Sequence, residues 1–105
     1  MRFVETTVFT KQVKSILSDD EYRLLQNVLV LRPDSGKIIP RSGGLRKARW
    51  ASSGRGKRGG CRFIYFWSKE NDTILMLFIY PKNVQDDLSA DQLKILRKIV
   101  ENEYK

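Results

Sequence analysis

The sequence predicts an α+β domain whose elements run β-α-α-β-β-β-α. Three observations carry that reading. Apolar residues recur at helical spacing behind two serine-led capping patterns, Ser18–Glu21 and Ser89–Gln92. Two aromatic and β-branched runs, CRFIYFW and TILMLFIY, are joined by a short polar turn. No internal repeat or composition break divides the 105 residues, so residues 1–105 are expected to form one domain with one modest core.

Residues 2–8 (RFVETTV) are short, β-branched and alternating, and predict a first strand. Phe9, Val13, Ile16 and Leu17 then share a helical face. In the Ser18-Asp19-Asp20-Glu21 box the serine accepts from the new helix start and the glutamate reaches back. Tyr22, Leu25 and Leu29, flanked by Leu24 and Val28, form the apolar stripe of the second helix. Arg32-Pro33-Asp34-Ser35-Gly36 stops it, because the residue before proline disfavours helical angles.

A polar connection to Gly43-Gly44 follows. Residues 45–52 then alternate, with Leu45, Lys47, Arg49 and Ala51 on one face and Arg46, Ala48 and Trp50 on the other. SSGRGKRGG reads as a basic loop before the strand Cys61–Trp67. After a hairpin turn at 68–72, Thr73–Tyr80 is apolar on both faces, as in a central strand covered from each side. Pro81 ends it, and Leu93, Leu96 and Val100 give the closing helix its stripe.

The charge is segregated. Between Ser35 and Lys69 lie ten basic residues and no acidic one, so the net +8 is +10 from this third and −2 from the remainder. Such a region suits a polyanion, since each neutralised phosphate releases counterions. The bland alternative is a solvated basic face without a ligand. Histidine is absent and Cys61 is the single cysteine, which argues against a zinc site, an internal disulfide and histidine acid–base chemistry. Cys61 opens a strand and is expected to be a small buried hydrophobe. The glycines of SSGRGKRGG do not open an apolar helix, so a nucleotide cradle is poorly supported. No run approaches a membrane span, and MRFVETTVF lacks the apolar core of a secretory signal; a cytoplasmic protein is expected.

The order of elements, with GGLRKARWASSGRGKRGGCRFIYFW and the later FIYPKN, resembles the RelE/ParE superfamily of type II toxin–antitoxin toxins, most of all the HigB-type branch of RelE-like mRNA interferases. The resemblance spans essentially the whole chain. It implies two N-terminal helices and one C-terminal helix packed on a twisted, mainly antiparallel four-stranded sheet. It also implies cleavage of mRNA in the A site of the 70S ribosome, without metal or cofactor. A cognate antitoxin is implied too, HigA-like with a helix-turn-helix domain, through which alone the complex meets operator DNA.

Carried over by position, the resemblance assigns Lys47 and Arg49 to the basic pair after GG-L, Arg62 to the arginine stabilising the scissile phosphate, and Lys82 to the basic position after the last strand. Asn83 stands where the best-studied RelE branch has a second arginine, and the late tyrosine of that branch has no counterpart near 84–89. The general acid and base are therefore open. The reaction implied is attack of a ribose 2′-OH on the adjacent phosphate, leaving a 2′,3′-cyclic phosphate and a 5′-OH.

Such chemistry asks for positioning, charge neutralisation and two proton transfers. Arg49 and Arg62 suit neutralisation through forked donors, and Lys47 becomes a base only if neighbouring cations depress its pKa. Tyr80 and Tyr65 are reserve proton donors against a core-aromatic alternative. Arg55, Lys57 and Arg58 are expected to grip RNA backbone, with Arg46 as an RNA contact or a solvated cation. Trp50 and Trp67 are packing residues or base-stacking platforms. The rival functions are a ParE-like toxin of DNA gyrase and a non-toxic nucleic-acid-binding module.

Overall fold

The β-branched N-terminal run divides earlier than its composition suggests. In the computed structural model, which describes residues 1–51, 60–85 and 87–104, strand β1 covers only Arg2–Glu5 and helix α1 covers Thr7–Ile16. The strand expected over residues 2–8 is cut short because Thr6 becomes the helix N-cap. Its Oγ1 accepts from the Phe9 amide at 3.0 Å and donates to the Leu77 carbonyl at 2.9 Å. Helix α2 spans Asp19–Leu31, and Ser18 caps it by accepting from the Glu21 amide at 3.1 Å.

The sheet has five strands, not four. Beyond β1 these are β2 (Lys37–Ile38), β3 (Arg46–Trp50), β4 (Cys61–Ser68) and β5 (Thr73–Pro81), followed by helix α3 (Ala90–Tyr104). Their spatial order is β1-β5-β4-β3-β2. The pair β1–β5 is parallel and the other three are antiparallel. The added strand β2 is two residues long, too short for any periodicity to announce it. Its entry is fixed by Tyr65, whose hydroxyl accepts from the Gly36 amide at 2.9 Å and donates to the Pro33 carbonyl at 2.8 Å. Gly36 has no room for a side chain: an added Cβ would lie 2.9 Å from Tyr65 Cε1 and 3.1 Å from the Lys47 carbonyl oxygen. The exit is a tight loop in which the Ser42 hydroxyl donates to Ile39 O at 2.6 Å and accepts from Leu45 N at 2.9 Å.

Two apolar clusters sandwich the sheet. On one side Phe9, Val13, Leu25 and Leu29 of α1 and α2 meet Cys61, Phe63, Tyr65, Ile74, Met76 and Ile79. On the other, Leu96 and Val100 of α3 meet Leu45, Ile64, Leu75, Leu77 and Tyr80. Central strand β5 is thus buried on both faces, as its apolar run predicts. The second capping box forms in full: Gln92 N donates to Ser89 Oγ at 3.1 Å, and Ser89 N donates to Gln92 Oε1 at 2.9 Å. The β4–β5 register shifts between Ile64 and Tyr65, leaving Leu77 as the extra residue of a bulge. Among the described residues no helix is long and apolar enough to cross a membrane.

Candidate nucleic-acid interface and active site

Alternation along β3 places Lys47 and Arg49 on the face that carries Leu45, and cross-strand register completes the arrangement. Arg49 stands opposite Arg62, and Arg62 stands opposite Tyr80. These three therefore form one row across β3, β4 and β5, spanning about 10 Å at ordinary strand spacing. The next row is Lys47, Ile64 and Phe78, and Lys37 of β2 stands opposite Lys47. Two like-charge pairs, Lys37–Lys47 and Arg49–Arg62, thus face each other on one side of the sheet. Like charges directly opposite destabilise a sheet by roughly 0.2–1 kcal/mol each, a cost that an anion relieves.

An open cleft of about 560 Å³ borders these cations at the edge of β3 that β2 leaves uncovered. Ser35, Lys37, Lys47, Arg49, Trp50 and Arg62 line it. The Trp50 ring packs toward the α1–α2 cluster, and its buried Nε1 has no hydrogen-bond partner among the described residues. Trp67 packs on the same cluster and carries Lys69 Nζ 5.9 Å from its ring centre. Both tryptophans therefore have packing roles, and Trp50 also borders the cleft.

Lys47 Nζ donates to Asp87 Oδ1 at 2.5 Å, forming an ion pair across 40 positions of sequence. That hydrogen bond lowers the Asp87 carboxyl below its ordinary range. Slight burial opposes the shift, and the Lys47 and Arg62 charges add to it.

Other expected site residues fall in different places. Arg46 points to the opposite face, where its Nη1 donates to Gly36 O at 2.7 Å and Asp34 O at 3.2 Å, bracing the entry to β2. Lys82 follows β5 as an exposed side chain, and its amide donates to Gly60 O at 3.1 Å, at the sheet end where Arg49 and Arg62 stand. Arg55, Lys57 and Arg58 lie outside the described residues. Tyr80 is 2 % exposed and packs beside Phe78, with ring centres 5.7 Å apart. Tyr65 is fully buried with its hydroxyl engaged on Gly36 and Pro33, which gives it a structural task on the far face. Cys61 is buried, and burial, with a smaller effect of the Glu21 charge, pushes its thiol up to about 12, well away from a nucleophile's range.

Sequence reasoning named neither Lys37 nor Asp87 as a site residue. Lys37 belongs to the basic run, and a strand reading before Gly43-Gly44 would have found it. Asp87 has no local signal, since only the tertiary fold brings it to Lys47. Among the described residues no cluster of three or more potential metal-binding side chains occurs.

A family model described as the RelE toxin of the RelE/RelB toxin–antitoxin system matches residues 1–105. Among solved structures, the chain is similar to a mutant of E. coli toxin RelE in the free state, at 13% identity and a TM-score of 0.62. That match covers 94% of this chain and 96% of the other. It is also similar to a chain of the intact E. coli RelBE toxin–antitoxin complex, at 14% identity and a TM-score of 0.56, covering 76% and 94%. At such identities the structural likeness speaks for the fold alone.

Proposed function

This chain belongs to the RelE toxin family of toxin–antitoxin systems, and we propose that it is a ribosome-dependent mRNA endoribonuclease that arrests translation. The observation that carries the proposal is the row Arg49–Arg62–Tyr80, with Lys47 one row away on the same face. Two guanidiniums side by side match the geometry of a phosphate whose charge grows during in-line attack by the 2′-OH. Lys47 adds a third positive charge and Lys82 a fourth at the same end of the sheet. Tyr80, next to Arg62 in register, is the O–H nearest in the row to protonate the leaving 5′-oxygen.

Neither arginine, which effectively never deprotonates, nor histidine, which is absent, supplies a general base here. The ribosome is accordingly assigned the alignment of the substrate, and free RNA should be cut poorly. A cytoplasmic location follows from that substrate. The partner is a cognate antitoxin, as the RelBE complex has. The comparisons name RelE and RelB; the HigB-type branch and a HigA-like, helix-turn-helix antitoxin rest on sequence resemblance alone.

Arg62→Ala tests the assignment. The variant should fold, by circular dichroism, and should lose growth arrest together with codon-phased mRNA cuts seen by primer extension. Full toxicity from a folded variant would refute the role of Arg62. DNA damage with intact messages would instead support a gyrase poison, and neither effect would support a plain binding module.

A further inference from the structure

The basic face is not left to solvent in the free chain: a carboxylate sits on one of its cations. Asp87 lies on Lys47 Nζ with its own side chain 68% exposed, whereas Lys47 is 30% exposed. The carboxylate is thus the more exposed member of the pair. Its backbone is held in place by neighbours. Gln85 Nε2 donates to Asp87 O at 2.7 Å and to Gln92 Oε1 at 3.1 Å, and the same Gln92 oxygen accepts from Ser89 N. The segment bearing Asp87 is therefore tied into the cap of α3.

Lys47 also lies among other cations. It faces Lys37 across the β2–β3 pair, and the Arg49–Arg62 pair follows on the same face. A carboxylate oxygen and a phosphate oxygen make the same kind of charge-assisted bond to an ammonium. One Nζ has three N–H donors but a single charge, so a carboxylate already on it weakens its attraction for phosphate.

We propose that Asp87 is a built-in counter-anion that competes with RNA backbone phosphate for Lys47, so that RNA binding requires this carboxylate to give way. The proposal rests on the RNA-binding part of the function above. It makes the free chain a weaker polyanion binder than its charge alone permits, and it gives the segment before α3 control over the basic face.

The test is fluorescence anisotropy with a labelled, uncleavable 2′-O-methyl single-stranded RNA, titrated into the full chain at several salt concentrations. Asp87→Asn removes the charge and keeps the shape. It should bind about three- to fivefold tighter at low salt, with a steeper salt dependence reflecting nearly one more phosphate contact. In a Lys47→Ala background the same change should have less than about half that effect, because the two residues act on one interaction. The charge-matched Asp20→Asn, on α2, should change affinity less than twofold. Asp87→Ser serves as a second neutral variant should asparagine alter the thermal melt.

Equal gains with and without Lys47 would overturn the proposal, as would unchanged or weaker binding by both neutral variants. The nuclease reading fails separately. Tighter binding by Asp87→Asn, with no mRNA cleavage by the unmodified chain, would keep the counter-anion and remove the enzyme. Codon-phased cleavage with no effect of Asp87 would do the reverse.

Discussion

Replacing Tyr65 by Phe removes one oxygen from the core and tests what holds β2 in place. The ring is fully buried, and its hydroxyl bridges Gly36 N at 2.9 Å and Pro33 O at 2.8 Å. Phenylalanine keeps the packing, including the stacked contact with Phe63, whose ring centre lies 5.7 Å away. It strands the buried Gly36 amide, a loss of about 1–3 kcal/mol, while the partly buried Pro33 carbonyl recovers a partner from water. A net loss of about 2 kcal/mol is expected. For a chain of this size that lowers the melting temperature by about 8–12 °C. Thermal melts by circular dichroism supply the first readout, and urea titration should show a lower midpoint at unchanged slope. Amide hydrogen exchange supplies the second, with protection lost at Gly36. A shift under about 2 °C with Gly36 still protected would show that the hydroxyl bridge does not anchor the turn.

Alkaline stability follows from one buried acid, Cys61, and one half-buried acid, Tyr22. The Cys61 thiol, ordinarily at 9.0, is pushed up to about 12, and Tyr22 is raised above its ordinary 10.0 by burial and by its hydrogen bond to Glu5. Above pH 9 the unfolded chain sheds a proton that the folded chain keeps, so stability is full below pH 9 and falls as pH rises. Urea midpoints measured from pH 8 to 11 should show that fall, and Cys61→Ser should flatten its first part; a flat profile in the unmodified chain would contradict the burial. Among the cations, Lys47→Ala and Arg49→Ala should lose cleavage more than ribosome affinity. Alanine at Arg55, Lys57 and Arg58 should instead lose affinity and salt dependence, and equal losses in both sets would reduce the strand pair to an electrostatic anchor.

The helices and the three long strands were legible because each carries its own signal. Leu25 and Leu29 mark the buried face of α2, Ser89 and Gln92 make the box that starts α3, and CRFIYFW alternates as a strand must. Alternation also placed Lys47 and Arg49 on a common face, opposite Arg46. What alternation cannot supply is register. That Arg62 stands between Arg49 and Tyr80 depends on how three strands slide against one another, which is settled by contacts far apart in sequence. The N-terminal boundary failed for a different reason. Thr6 suits a strand by propensity, but its hydroxyl is worth more as a helix cap than its β-branch is in a sheet.

The extra residue at Leu77 sets the parity of everything after it. Strict alternation from Ile74 and Met76, which face α1 and α2, would send Tyr80 to that same side. The insertion flips the phase: Ile79 takes the α1–α2 side, while Phe78 and Tyr80 turn toward α3 and the basic row. Thr6 steadies the inversion, its amide donating to Met76 O at 3.0 Å and its hydroxyl to Leu77 O at 2.9 Å. A threonine at the far edge of the sheet thus helps decide which side of the molecule a tyrosine addresses. Straightening the bulge with every residue retained would bring Ile79 opposite Arg62 in place of the candidate proton donor, without touching any of the cations.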